Sequence, residues 1–271
     1  MNRGILYVAT GSRHLAEAVE SAKSAKKHMP EIPVWLYCDK APSDPHSFDE
    51  IRLVENPRHF FIDKIEPMKN SPFEQTLFLD TDTRVCLPIT DLFDVLDRFD
   101  VAIAHAPMRH DRSYPVPNCF AEPNSGVIAY RKNPRVADMF DRWIAIYEED
   151  LRTSPKPEMV DQVHLRRALY ESEVSLYILP SEYNFRSVMV GFCARQRVRI
   201  LHGRGDMAAV ETAVNRSTAM RAVFPTLDQF NLRQVVFLDG PGRAFVGIFG
   251  RLIDCVATVF GAFRRLTGKK S

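Results

Sequence analysis

The sequence predicts an α/β protein with a mostly parallel central sheet and helices on its faces. Short apolar runs alternate with longer stretches in which apolar residues recur at helical spacing. This alternation is typical of sheets built from strand–helix–strand units. The chain has 271 residues, of which 45% are hydrophobic and 26% charged. That length and composition suit a soluble protein with one large domain or two small ones.

The elements follow one another in a regular order. Strands are predicted at residues 5–9, 33–38, 51–54, 76–80, 101–104, 125–130, 176–179 and 198–201. Helices are predicted at residues 12–28, 64–70, 134–151 and 159–170, with Ser12 as the N-cap of the first. We assign residues 1–240 to one domain and residues 241–271 to a basic C-terminal tail.

Residues 76–83 carry the strongest functional signal. An apolar strand runs into Asp80-Thr81-Asp82, so two carboxylates follow its carboxyl end, where open α/β sheets bind ligands. Two like charges this close repel each other unless a cation shares them. A divalent ion with oxygen ligands, often one that also holds a diphosphate, is a common solution. The motif therefore predicts a metal or catalytic site, and the alternative is a polar turn capped by Asp82 or Thr83.

Six short stretches occur in a fixed order over about residues 4–205. They are Tyr7-Val8-Ala9-Thr10, Lys64 in a helix before the acidic strand, Leu79-Asp80-Thr81-Asp82, Asn124-Ser125-Gly126-Val127, Asp161-Gln162 and Ile200-Leu201-His202-Gly203. Together they resemble the GT-A fold glycosyltransferases, closest to the family 8 type of nucleotide-diphospho-sugar transferases. The resemblance implies a Rossmann-like fold. It also implies metal-dependent transfer of a hexose from a nucleotide-diphosphate sugar, a UDP-sugar by preference, to a glycan, lipid-linked or protein acceptor.

The resemblance also implies roles for individual residues. Asp80, Asp82 and His202 would hold Mn²⁺ or Mg²⁺ on the donor diphosphate, and an imidazole beside two carboxylates favours Mn²⁺. Asp161 and Gln162 would be the catalytic pair, with Asp161 on the donor-sugar hydroxyls and Gln162 beside the anomeric carbon. The donor itself would be contacted by residues spread along the chain: Ala9, Thr10, Lys64, Asp80, Asn124, Ser125, Gly126 and Arg204.

Two other classes of protein remain open at this point. An apolar strand followed by Asp-x-Asp-x-Thr also fits the first motif of haloacid-dehalogenase-like phosphatases. Asp80 would then be the nucleophile and Asp82 the general acid, with Mg²⁺. Asp206 and Glu211 are the candidates for the late acidic motif of such an enzyme. The second alternative is a non-catalytic interaction protein that keeps the GT-A fold.

Cysteine usage and the N-terminus predict a reducing compartment. The five cysteines are scattered and show no Cys-x-x-Cys spacing, which argues against a disulfide framework and against a zinc site. The chain enters its first strand shortly after Met1, without the apolar segment of a signal peptide. We therefore expect a cytoplasmic protein with no nucleic-acid partner.

The C-terminal tail carries the basic charge of the chain. From Gly240 onward six Lys and Arg residues face one Asp, so this segment contributes +5 and the rest of the chain −3 to the net +2. On a helix, the large apolar residues of the tail would share one side: Phe245, Ile248, Phe249, Leu252, Val256, Val259, Phe260 and Phe263. Arg251 and Asp254 make a bilayer span costly. We expect residues 243–270 to lie on an anionic membrane surface, with packing on a protein surface as the alternative.

Overall fold

The computed structural model describes residues 2–108, 110, 115–224 and 234–237. The strands are β1 (Arg3–Ala9), β2 (Val34–Cys38), β3 (Glu50–Leu53), β4 (Gln75–Leu79), β5 (Thr83–Val85), β6 (Val101–His105), β7 (Pro123–Arg131), β8 (Leu176–Ile178), β9 (Phe185–Arg186), β10 (Gly191–Cys193), β11 (Ile200–His202), β12 (Arg221–Phe224) and β13 (Gln234–Phe237). The α-helices are α1 (Ser12–His28), α2 (Ile65–Lys69), α3 (Asp91–Val95), α4 (Pro134–Thr153), α5 (Asp161–Glu171) and α6 (Met207–Val214). The tail at 241–271 lies outside the described residues, so its helix and the domain boundary stay predictions.

A central sheet of seven strands organises the described part of the chain. Its order is β3-β2-β1-β4-β7-β6-β8. Neighbouring strands are parallel, except that β7 runs antiparallel to both β4 and β6. The predicted α/β class with a mostly parallel, helix-flanked sheet is therefore confirmed.

Both faces of the central sheet are buried at its middle strands β1 and β4. In β1, Ile5 and Tyr7 belong to the apolar cluster that includes residues of α1, whereas Leu6 belongs to the cluster that includes Phe140 and Trp143 of α4. Alternate residues of a strand point to opposite faces, so a strand covered on both sides must be apolar throughout. This is why β1 and β4 appear in the sequence as continuous apolar runs.

The sheet topology brings three chain segments to one edge. Because β1 and β4 are parallel neighbours, their carboxyl ends lie side by side, and Thr10 and Asp80 follow them closely. Since β7 runs the opposite way, its first residues lie at the same edge. Asn124 and Ser125 are among these residues. Three of the predicted functional stretches are therefore assembled by strand direction alone.

Two small sheets lie outside the central one, and one of them contains the strand predicted at 198–201. Their orders are β5-β11-β9 and β10-β12-β13. The strand predicted at 198–201 is found as β11, but it pairs antiparallel with β5 and parallel with β9 instead of joining the central sheet. Apolar pattern could not reveal this pairing, because β5 has three residues and β9 only two.

Two local predictions about helices need correction. The helix predicted at 64–70 is split into a 3-10 turn, Phe61–Lys64, and the short helix α2. The prediction that Ser12 caps α1 is wrong, because Gly11 precedes the helix and no side chain caps it. The Ser12 hydroxyl instead accepts a hydrogen bond from Lys40 Nζ at 2.6 Å. Among the described residues, no helix has the length and apolar character that crossing a membrane requires.

Candidate functional site

The acidic motif forms the turn between β4 and β5. Asp80 N donates to Gly126 O at 2.8 Å, which extends the pairing of β4 with β7 by one residue. The turn closes on Asp80 O, which accepts from Thr83 N at 3.1 Å and from the Thr83 hydroxyl at 2.7 Å. Asp80 and Asp82 both line a cleft at this edge of the sheet. Thr83 therefore does close a polar turn, and the two carboxylates face the cleft beside it.

His202 reaches the two carboxylates through the small sheet β5-β11-β9. It stands opposite Thr83 in the pairing of β11 with β5. His202 Nε2 lies 3.2 Å from Asp82 Oδ1 and 3.9 Å from Asp80 Oδ2. One ligand atom from each of the three residues falls within 4.8 Å of the others. The three residues predicted as metal ligands are therefore brought together.

Gly126 makes room for this cluster. A Cβ at position 126 would lie 2.0 Å from His202 Cε1 and 2.9 Å from Asp80 Oδ2. Contacts this short do not occur between real side chains. The resemblance placed Gly126 among the donor contacts, and the structure shows that this glycine also allows the close approach of His202.

A hydrogen-bonded chain of side-chain amides fixes the orientation of His202. Gly126 N can only donate, and its contact of 3.3 Å with Asn124 Oδ1 makes that oxygen an acceptor. Asn184 Nδ2 donates to the same oxygen at 2.8 Å, which leaves Asn184 Oδ1 to accept from His202 Nδ1 at 2.8 Å. In the neutral imidazole the proton is therefore on Nδ1. Nε2 presents its lone pair to the two carboxylates, as in a metal-binding histidine.

The same chain continues in the other direction to Gln162. Asn124 Nδ2 donates to Gln162 Oε1 at 3.1 Å, and Gln162 Nε2 donates to Glu122 Oε1 at 2.6 Å. Glu122 is 3% exposed. It also accepts from His110 N at 3.1 Å and lies 2.6 Å from His110 Nδ1. Both ends of the Gln162 amide are thus fixed, and its orientation is set by the same interactions that orient His202.

Lys64 joins the acidic turn to α5. Its side chain is almost completely buried, and Nζ lies 3.0 Å from Asp80 Oδ1 and 3.1 Å from Asp161 Oδ2. Nζ also donates to Ser125 O at 3.3 Å. Asp161, the first residue of α5, is itself 2% exposed. Lys64 is therefore the cation that allows Asp161 and Asp80 to be buried near each other.

The two carboxylates of the motif differ in acidity. Burial raises the pKa of Asp80, and the positive charge of Lys64 offsets this only in part. Burial also raises the pKa of Asp82, but the hydrogen bond and charge of His202 in its protonated form, together with the charges of Arg204 and Arg186, outweigh it and hold that pKa well below its ordinary value. Asp82 is consequently the stronger anion of the pair.

Ala9 and Thr10, both predicted to contact the donor, are placed differently. Val8 and Thr10 line the cleft, and the Thr10 hydroxyl donates to Asp63 Oδ2 at 2.9 Å. Ala9 is 1% exposed and packs in the core with α1. Successive residues of an extended strand point to opposite sides. For this reason the Ala9 side chain does not reach the cleft, and the predicted donor contact of this residue stays a prediction that only its backbone could fulfil.

Three solved structures with a similar fold are glycosyltransferases. The galactosyltransferase LgtC in complex with donor and acceptor sugar analogues matches with a TM-score of 0.52 at 15% identity, over 75% of this chain and 87% of that one. An active-site mutant of LgtC matches with a TM-score of 0.52 at 16% identity, over 74% and 87% of the two chains. The glycosyltransferase GlyE of Streptococcus pneumoniae matches with a TM-score of 0.54 at 15% identity, over 76% of this chain and 55% of that one. The chain has the GT-A fold.

The GT-A fold confirms what the six stretches of sequence implied about architecture. No protein-family model and no curated protein matches the sequence. At 15–16% identity the likeness to solved structures establishes the fold and not the reaction. The chemistry of this GT-A protein therefore depends on its own residues.

The cleft of this GT-A fold has a volume of about 430 Å³, within the range of small-molecule sites. Arg204 lies at its edge with its side chain 45% exposed, 3.4 Å from Asp82 Oδ2 and 2.8 Å from Glu17 Oε1. Large apolar side chains on the rim remain exposed: Phe60, Phe61, Met108 and Met159. The cleft therefore combines a charged floor with an apolar rim.

The structure adds functional candidates that the motifs did not contain. They are His110, Glu122, Asn184 and Arg186. Arg186 lines the cleft with His110, while Glu122 and Asn184 are buried behind it. Glu122 stands two residues before Asn124, and nothing in that spacing singles it out. Arg186 is the second residue of the two-residue strand β9, and Asn184 immediately precedes that strand. A strand of two residues is too short for apolar periodicity to detect.

Proposed function

We propose that this protein is a metal-dependent glycosyltransferase. It moves a hexose from a nucleotide-diphosphate sugar, by preference a UDP-sugar, to a hydroxyl of a glycan, lipid-linked or protein acceptor. The observation that carries the proposal is the convergence of Asp80, Asp82 and His202 at the carboxyl edge of a GT-A sheet. The fold supports it, because LgtC is a galactosyltransferase that has been crystallised with donor and acceptor sugar analogues.

The donor atoms of the cluster suit a divalent ion. Two carboxylates and one imidazole nitrogen offer ligand atoms within 4.8 Å of one another, and such a mixed oxygen and nitrogen set favours Mn²⁺ over Mg²⁺. The lone pair of His202 Nε2 faces the carboxylates because Nδ1 is bonded to Asn184. When bound, such an ion stabilises the negative charge that develops on the leaving diphosphate.

The side chains around the cluster have separate tasks in the transfer. Lys64 holds Asp80 and Asp161 in place, so that Asp161 can bind sugar hydroxyls at the cleft floor. Gln162 lines the same cleft with both ends of its amide fixed, which positions it beside the sugar. Arg204 adds positive charge at the edge where phosphates would lie. During the reaction the bond from sugar to phosphate breaks and its electron pair leaves with the nucleoside diphosphate. The acceptor oxygen bonds to the same carbon and releases its hydroxyl proton to the departing phosphate or to solvent.

The phosphatase alternative loses the residues it requires. Asp206 is the N-cap of α6, where its side chain accepts from Ala209 N at 2.9 Å. Glu211 is paired with Arg84 at 2.6 Å. Both candidates for the late acidic motif therefore have structural partners of their own, which disfavours a phosphatase.

Donor hydrolysis in the absence of an acceptor tests the proposal. The purified protein should slowly release UDP and free sugar from a UDP-sugar in Mn²⁺, with water in place of the acceptor, and it should not turn over small phosphomonoesters. Asp82→Asn should abolish this release, because it removes the stronger anion of the cluster. Phosphomonoester turnover, with Asp80 modified by beryllium fluoride, would instead establish a phosphatase. Intact UDP-sugar together with no nucleotide binding would indicate a non-catalytic protein.

The proposal extends to where the enzyme works. The basic, apolar tail at 243–270 would hold a cytoplasmic enzyme at the inner face of the membrane, near a lipid-linked acceptor. Deleting residues 242–271 should leave donor hydrolysis intact and remove binding to vesicles that contain anionic lipid. If the full-length protein does not bind such vesicles and the truncation changes its oligomeric state, the tail is a contact between subunits.

A further inference from the structure

Arg186 lies directly on the nitrogen through which His202 faces the two carboxylates. The two residues are partners in the parallel pairing of β9 with β11, so the backbone holds them side by side. Arg186 Nη1 is 2.6 Å from His202 Nε2. Burial lowers the pKa of Arg186, and the charges of Asp82 and Asp80 oppose that shift, but a guanidinium stays protonated at any physiological pH.

This contact uses the lone pair that a metal ion would need. Because Nδ1 of His202 is bonded to Asn184 Oδ1, Nε2 is the acceptor atom of the neutral ring, and an imidazole nitrogen has a single lone pair. That lone pair cannot accept from Arg186 and coordinate a metal ion at the same time. Nε2 and Asp82 Oδ1, both acceptors, lie 3.2 Å apart. Two acceptors this close need a cation nearby, and Arg186 supplies it in this structure.

The charges around the cluster are close to balance. Four carboxylates and three basic side chains of the described residues meet there: Asp80, Asp82, Asp161 and Glu17; Lys64, Arg186 and Arg204. A divalent ion added alone would turn an excess of one negative charge into an excess of one positive charge in a partly buried site, which is costly. A diphosphate that arrives with the ion removes this excess. The charge count therefore favours joint binding of metal and diphosphate over binding of metal alone.

We propose that Arg186 is an exchangeable cation of the diphosphate site. Before the metal binds, Arg186 occupies the lone pair of His202. When the metal takes that lone pair, Arg186 bonds to the donor phosphates that lie in the same cleft. A planar guanidinium suits this second role, because it can donate two parallel hydrogen bonds to a phosphate. The inference rests on the proposed function, since it assigns a role at the same metal and diphosphate site.

Two binding measurements on Arg186→Gln test the inference, because they should change in opposite directions. Titration calorimetry with MnCl₂ alone should show about tenfold tighter binding than wild type, since the competitor for His202 and one positive charge are gone. Titration with UDP at saturating Mn²⁺ should show about tenfold weaker binding, since a charge-assisted contact to phosphate is lost. Arg186→Met should behave in the same way. Thermal melting confirms that both variants are folded.

Arg84→Gln is the matched control. Arg84 lies on β5 of the same small sheet, and its charge is paired with Glu211 at 2.6 Å. Removing it changes the net charge by the same amount without touching His202. Both affinities of this control should stay within about twofold of wild type, because the charge of Arg84 is paired with Glu211 and not with a residue of the cluster.

The possible outcomes separate this inference from the proposed function. Unchanged or weaker Mn²⁺ binding by Arg186→Gln would show that Arg186 does not compete for His202, and would overturn the inference alone. Unchanged UDP affinity in that variant would overturn it as well. A third outcome is that wild type binds UDP equally with and without Mn²⁺ while Arg186→Gln binds no UDP. That result would overturn the exchange, because Arg186 would then replace the metal permanently. A wild-type protein that binds no UDP at all would contradict the proposed function itself.

Discussion

Two acidic side chains stand at opposite edges of the central sheet and are stabilised in different ways. Asp100 precedes β6 at the edge away from the cleft and is completely buried. Its oxygens accept hydrogen bonds from Arg131 Nε at 2.9 Å, Arg135 Nε at 3.0 Å and Ser175 N at 2.8 Å. Burial would raise the pKa of Asp100, but these hydrogen bonds hold it well below its ordinary value.

Asp80, which follows β4 at the other edge, is less well satisfied. Its nearest cation, Lys64, is shared with Asp161, and Asp82 adds a second negative charge two residues away. Burial raises the pKa of Asp80 despite Lys64. The comparison shows that a buried carboxylate whose oxygens all accept hydrogen bonds stabilises the fold. A buried carboxylate whose negative charge is not fully compensated instead favours the binding of an added cation. Functional sites commonly cost stability in this way.

The largest expected effect is the difference in unfolding free energy between Asp100→Asn and Asp80→Asn. Asp100→Asn should lower the free energy of unfolding by about 3 kcal/mol, because charged hydrogen bonds to two arginines and a backbone amide are weakened. Asp80→Asn should leave the free energy of unfolding unchanged or raise it, because it removes a charge that burial disfavours. Urea denaturation of both variants measures the difference. A loss of similar size in Asp80→Asn would mean that Asp80 serves the fold as Asp100 does.

A smaller effect is expected from crowding the cluster itself. Gly126→Ala would place its Cβ 2.0 Å from His202 Cε1, so the imidazole must move away from Asp82. We expect a stability loss of about 1–3 kcal/mol together with loss of Mn²⁺-dependent UDP binding. Gly191→Ala, whose Cβ would meet the Phe185 ring at 2.9 Å, is a control that crowds a side chain outside the cluster. If Gly126→Ala binds UDP and Mn²⁺ normally, His202 is not a ligand.

The smallest expected effect concerns the pH dependence of stability, to which Asp100 and Asp80 should contribute with opposite signs. The folded pKa of Asp100 is depressed, so the stability that it contributes is present above its unfolded pKa of about 3.9 and is lost as the pH falls below that value. The folded pKa of Asp80 is raised. The unfolding free energy of wild type should therefore rise relative to that of Asp80→Asn as the pH falls through that raised pKa. Unfolding free energies from pH 3 to 7 for wild type and both variants test this. Parallel curves for the two variants would contradict the assigned pKa directions.

The sequence could predict the central architecture but not the completion of the site. β1, α1 and α4 are long and strongly patterned, so apolar periodicity finds them, and Asp80 and Asp82 follow a strand that is buried on both faces. Arg186 and Asn184 belong to a segment whose place depends on pairing between strands of two and three residues. Such pairing is a tertiary property. Asp100 shows the converse limit, since its residue type alone gives no sign of whether its oxygens are satisfied.

The central claim is that Asp80, Asp82 and His202 bind a divalent ion together with a nucleoside diphosphate. Calorimetric titration of UDP into wild-type protein and into Asp82→Ala, each with and without Mn²⁺, tests it most directly. We predict that wild type binds UDP much more tightly with Mn²⁺ than without it, and that this gain disappears in a folded Asp82→Ala protein. Equal UDP affinity with and without Mn²⁺ in both proteins would contradict the claim.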